Sequence, residues 1–205
     1  MMASDMDNDA LGNPAEDLAM IRQMMEAGRN RVAVSGVHFI LWGILLTIAF
    51  YVQYLSVYGY LPEMLVEIWV PMAAIGWLVE YYLARRCPPV TRTSNPAVVA
   101  HSASWSVVGI TTLAYFGMSV ITDTFDPKII TILSAGLMGG AYWITATVTG
   151  ISWLRFVALG WWAVLAYATS LKVYDGEMLL VMAAASALLL TLPGFIVRRL
   201  HSSGE

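Results

Sequence analysis

The chain has 205 residues, 59% of them hydrophobic and only 12% charged, with a mean hydropathy of +0.67 and a formal net charge of −3. A soluble domain is nearer a quarter charged, so the composition excludes an ordinary soluble protein. The single cysteine, Cys87, excludes an intrachain disulfide and a cysteine-rich metal site.

Residues 1–13, MMASDMDNDALGN, lack the basic start and short apolar core of a secretory signal and read as a disordered acidic tail. Asn13 and Pro14 then give a helix start, with Glu16 placed to complete a capping box. Over residues 14–33, Leu18, Ile21, Met24 and Met25 share one face, while Asp17, Arg22, Gln23 and Glu26 take the other. Such a helix lies on the membrane surface or on the cytosolic ends of spanning helices.

Six apolar runs of about twenty residues follow, at about 34–55, 68–83, 98–121, 129–149, 153–171 and 178–197, close to what a bilayer core requires of a helix. Pro71 is expected in the first turn of the second run, where a missing amide donor matters little. Only Gly150 to Ser152 separates the fourth run from the fifth, so these two must form a tight antiparallel hairpin. Pro193-Gly194 is expected to kink the sixth, and residues 200–205 are a short tail. Six spans put both termini on one side. Nine arginines (Arg22, Arg29, Arg31, Arg85, Arg86, Arg92, Arg155, Arg198, Arg199) fall on that side, against Lys128 and Lys172 opposite, so the termini are expected in the cytoplasm. The expected fold is an all-α six-helix transmembrane bundle, residues 34–199, preceded by an amphipathic cytosolic helix.

The run DLAMIRQMMEAGRNRVAVSGVHFILWG resembles the opening of a group of bacterial six-helix integral membrane proteins. Their pattern, acidic-Leu-x-x-Ile-Arg-x-x-Met-Glu, is met by Asp17, Leu18, Ile21, Arg22, Met25 and Glu26, with Gly36 at the head of the first span and Gly43 a heptad further. The match covers roughly thirty residues. The group has no established activity, so the resemblance implies a fold, a bacterial cytoplasmic membrane and a regulatory setting, and it transfers no catalytic residue.

An ionisable side chain inside a span is expensive and marks a candidate site. His38, Glu80 and His101 all fall near the cytoplasmic ends of their runs. If the first three helices are neighbours, two nitrogens and one oxygen with an open position suit a divalent, zinc-like metal, or a proton path. The plainer alternative pairs Glu80 with Arg85 or Arg31 at the interface. No HExxH-type spacing supports a metal, and no other cofactor is implied. Glu80 also sits among Trp77, Tyr81 and Tyr82, and a carboxylate with aromatic walls can hold a lipophilic cation. These aromatics, with Trp42, Trp69, Trp153, Trp161 and Trp162, also read as an interfacial belt.

Gln53, Thr111, Thr112, Thr145, Thr147 and Thr149 read as hydrogen-bonding glue between helices. Gly136-x-x-x-Gly140 gives the fourth run a smooth face, either for a neighbouring span or for a second copy of the chain. No phosphate loop, dinucleotide fingerprint, serine nucleophile elbow or nucleic-acid-binding surface is present, and an enzyme would have to work inside the membrane. Two functions remain from the sequence. The first is an interaction or regulatory component binding a protein partner through Leu18, Ile21, Arg22, Met25 and Glu26. The second is a small proton- or cation-coupled transporter or channel using Glu80 with His38 and His101; a metal-dependent intramembrane enzyme ranks behind both.

Overall fold

Gly36 sets the start of the bundle. Its φ is 67°, and a Cβ there would strike the carbonyl oxygen of Gly194. Glycine alone meets both conditions, so the first helix, α1 (Val37–Val57), can begin against the end of the chain. The computed structural model describes Leu18, residues 36–86 and residues 96–202. These form helices without strands: α1, α2 (Val66–Arg86), α3 (Pro96–Ile121), α4 (Pro127–Thr149), α5 (Leu154–Ser170) and α6 (Glu177–Ser186). A π-helical turn (Ala187–Thr191) then runs directly into α7 (Leu192–Ser202).

Among the described residues four helical stretches are long and apolar enough to cross a membrane: Val37–Val57, Ala97–Ile121, Pro127–Thr149 and Glu177–Leu200. The last joins α6, the π turn and α7 into one rod. Helix α5 is shorter, at 17 residues, and α2 is diluted by Glu67, Glu80 and its aromatic side chains. Helix α2 begins at Val66, earlier than expected, so Pro71 falls inside it rather than in its first turn. Helix α4 begins at Pro127 because Asp126 caps it, accepting the Lys128 amide at 2.7 Å through Oδ1.

The packing order around the bundle is α2, α1, α6, α5, α4, α3. Helix α1 holds α2 on one side and the α6–α7 rod on the other, while α4 joins α3 to α5. Ala135 and Tyr142 of α4 and Leu154, Ala158 and Trp161 of α5 are fully buried. The small residues of α4 seat α5. Leu165 lies against Gly136, Trp162 lies against Gly139, and Trp162 Nε1 donates to the Gly136 carbonyl at 3.3 Å. Gly140 has open space beside it.

The break expected at Pro193-Gly194 takes the form of the π turn just upstream. Proline has no amide hydrogen for the carbonyl four residues earlier, that of Leu189. Trp161 Nε1 of α5 donates to that carbonyl instead, at 3.4 Å. Gly43 of α1 and Gly160 of α5 lie against Thr191 and Leu189, so the π turn is gripped between two helices. The indoles expected in an interfacial belt are therefore largely structural. Trp161 is fully buried, and Trp69 donates to Gln53 Oε1 at 3.2 Å.

Candidate functional site

Each helix turns one stripe toward the middle of the bundle. On α1 the stripe is Phe39, Trp42, Leu46, Phe50 and Gln53; on α3 it is His101, Trp105, Val108, Thr112 and Phe116. Spacings of three and four keep such residues on one face. With Trp69, Ala73, Trp77 and Glu80 of α2 and residues of α4 to α6, they enclose a cavity of about 650 Å³. Its lining reaches from Gly36 to Val57, which at helical rise is about 31 Å, the thickness of a bilayer core.

At the arginine-bearing end, Glu80 is the organising group. Its Oε1 accepts from His38 Nδ1 at 3.0 Å and from Trp42 Nε1 at 2.9 Å. The Trp42 ring reaches it by crossing the face of Gly76, where a Cβ would sit 2.6 Å from the indole. Both donors go to one oxygen. Among the described residues no hydrogen bond reaches Oε2. The pair is only partly covered, with His38 45% and Glu80 29% exposed, and both line the cavity. The expected partner Arg85 instead lies over the Tyr81 ring, 4.4 Å from its centre.

His101 also lines the cavity, but its Nδ1 is bound to Thr145 Oγ1 of α4 at 3.0 Å. Thr145 has a single hydroxyl hydrogen, which goes to the Ala141 carbonyl at 2.8 Å. Its oxygen therefore accepts from Trp105 Nε1 at 3.1 Å and from His101. That network makes His101 Nδ1 a donor. Phe39, Trp105 and Tyr142 pack on one another with ring centres 5.0 to 5.2 Å apart, and the Phe39 and Trp105 rings lie 6.3 and 6.5 Å from that of His101.

Of the three expected residues the structure pairs His38 with Glu80 and ties His101 of α3 to Thr145 of α4. Among the described residues no three His, Cys, Asp or Glu side chains form a group that could hold a metal ion, so the three-ligand arrangement is not formed here. The physical reason is the Thr145 hydroxyl, which takes the His101 ring. Further along the wall, Thr112 Oγ1 and Ser186 Oγ are buried without a hydrogen-bond partner among the described residues. Trp105 and Thr145 were not singled out as site residues by the sequence, although Trp105 follows His101 by one helical turn. Of the N-terminal docking face only Leu18 is described, helical and exposed; Ile21, Arg22, Met25 and Glu26 lie outside the described residues.

Comparison with protein-family models, curated proteins and solved structures gives no match.

Proposed function

We propose that the protein is a six-span transporter of small organic cations in a bacterial cytoplasmic membrane, with both termini cytoplasmic and proton exchange at Glu80. The observation that carries this reading is the half-used carboxylate. Oε1 is held by His38 and Trp42, Oε2 has no donor among the described residues, and Glu80 stands in the wall of a cavity as long as a bilayer is thick. A carboxylate at such a depth is retained at a cost only where a cation or a proton answers it. The Trp42 ring that holds it, with Trp105 elsewhere in the same wall, adds π faces that attract weakly hydrated cations. A proton and an organic cation compete for the same carboxylate, and that competition is the coupling. The arginines at the Glu80 end support a cytoplasmic placement of that end.

The test uses protein reconstituted in vesicles, with radiolabelled tetraethylammonium as a permanently charged probe. Wild-type protein is expected to take up the probe in exchange for protons leaving down an imposed outward proton gradient, and Glu80→Gln to reduce probe binding at least tenfold without lowering the yield of folded protein. Equal uptake and binding by Glu80→Gln would reject the proposal.

A further inference from the structure

Among the described residues, the ring of helices is closed by backbone packing everywhere except between α2 and α3. Helix α1 packs on α2 and on the α6–α7 rod, α5 touches α6, and α4 packs on both α5 and α3; α2 and α3 make no comparable approach, although both line the cavity. The Trp77 side chain reaches across to α3. The Trp77 indole lies over Gly109, and a Cβ built on Gly109 would meet nothing but that ring, at 3.6 Å. Trp77 and Gly109 both fall near the middle of their helices, at the depth of lipid chains rather than headgroups. Residues on the outer sides of the gap, Leu78 on α2 and Ile110 on α3, are exposed and apolar. Inside the gap, Met72, Val108 and Phe116 continue that apolar surface into the cavity.

We infer that the α2–α3 gap is a lateral gate, and that the ligand is an amphiphile: a cationic head for Glu80 carried on an alkyl chain that passes Trp77 from the bilayer. This rests on the cation reading of Glu80 and narrows it. A small hydrophilic cation uses the carboxylate and the aromatic faces but has no use for an apolar opening at mid-membrane depth. A tailed cation uses both: its head lies at the arginine-bearing end and its chain lies along Met72, Val108 and Phe116. Trp77 serves as the leaf of the gate. Its ring rests on a glycine, so it swings without displacing a packed side chain on α3.

The test compares two probes, tetramethylammonium and dodecyltrimethylammonium, titrated into the full chain in lipid nanodiscs. Signal that persists in Glu80→Gln is subtracted as partition into lipid. Wild-type protein is expected to bind the tailed probe at least tenfold more tightly. Gly109→Leu fills the gap against Trp77 and is expected to slow and weaken binding of the tailed probe at least tenfold, leaving the small probe unchanged. Adding Trp77→Ala to that variant is expected to restore it. The lateral gate is refuted if Gly109→Leu leaves the tailed probe unaffected, weakens both probes alike, or if the chain adds no affinity in the wild type. In each of those results Glu80→Gln still abolishes binding of both probes, and the carboxylate site survives. If Glu80→Gln alters neither probe, the cation reading fails, and the gate fails with it.

Discussion

The α4–α5 hairpin and the α2–α3 pair are both neighbouring helices in sequence, and they are built to opposite ends. Half of the apolar window of α4 is buried within the protein, against 11% of that of α3. In the hairpin, glycines admit the large side chains Trp162 and Leu165, and the backbones close on each other. Between α2 and α3 a glycine also meets an indole, yet the backbones stay apart and a cavity opens behind them. The same residue pairing thus serves a fixed seam in one place and a parting one in the other. What differs is everything around it: Trp162 is tied by a hydrogen bond to Gly136, whereas among the described residues the Trp77 indole makes no such bond.

The sharpest way to break the comparison is at the two glycines. A Cβ at Gly139 would collide with Trp162 Nε1, so Gly139→Leu is expected to abolish recovery of monodisperse protein by size-exclusion chromatography. Gly109→Leu, at the looser seam, is expected to leave recovery intact. Truncating the indoles follows in size. Trp161→Ala, which empties a fully buried site, is expected to cost about 3–5 kcal/mol and to lower Tm by many degrees; Trp77→Ala is expected to cost under about 1 kcal/mol.

A smaller effect sharpens the picture of the hairpin itself. The Tyr142 hydroxyl is buried there without a partner among the described residues. Tyr142→Phe is therefore expected to be neutral or to stabilise by about 1 kcal/mol, read as a rise in Tm. A clear loss of stability would mean that the hydroxyl is satisfied in the membrane. The smallest effect is at the loop between α5 and α6. Burial, with Asp126 and Asp175 adding to it, raises the Tyr174 hydroxyl above its ordinary value of 10.0, against its hydrogen bond to Thr131, which lowers it. A group raised in the folded state stabilises fully below its unfolded value and loses that contribution as the pH climbs through the folded one. Tm is accordingly expected to fall above pH 10, and less steeply in Tyr174→Phe.

Hydropathy alone located the apolar helices, because a span must be long and apolar whatever it packs against. The start of α4 was also within reach, since Asp126-Pro127 is a cap followed by the one residue that needs no amide donor. The order of packing was not legible. In a membrane the lipid-facing side of a helix is as apolar as its inner side, so Ile110 and Val108, two residues apart, give no sign of which one faces the cavity. The site was partly legible for the opposite reason. His38 and Glu80 stand out because charge is rare in a span, and the structure pairs them. The partner of His101 was hidden: Thr145 is one of several threonines that bond their own helix, and nothing in the string marks it as the one that also takes an imidazole. Tryptophans near span ends point inward or outward with the same letters, which is why Trp42 and Trp69 looked like belt residues and proved to be donors to Glu80 and Gln53.

The π turn between α6 and α7 makes the last rod a counted sequence. A π turn holds one residue more than an α turn, and here that extra residue is accommodated in Ala187–Thr191. Deleting Leu188, which faces outward, would let the rod become a continuous α-helix and would rotate everything after it by about 100° relative to everything before. Val197, fully enclosed, would swing toward lipid, and Gly194 would leave its place beside Ile40. Between Met178 and Val197 a substitution changes one contact, but a single-residue deletion changes the frame in which all the later contacts are read.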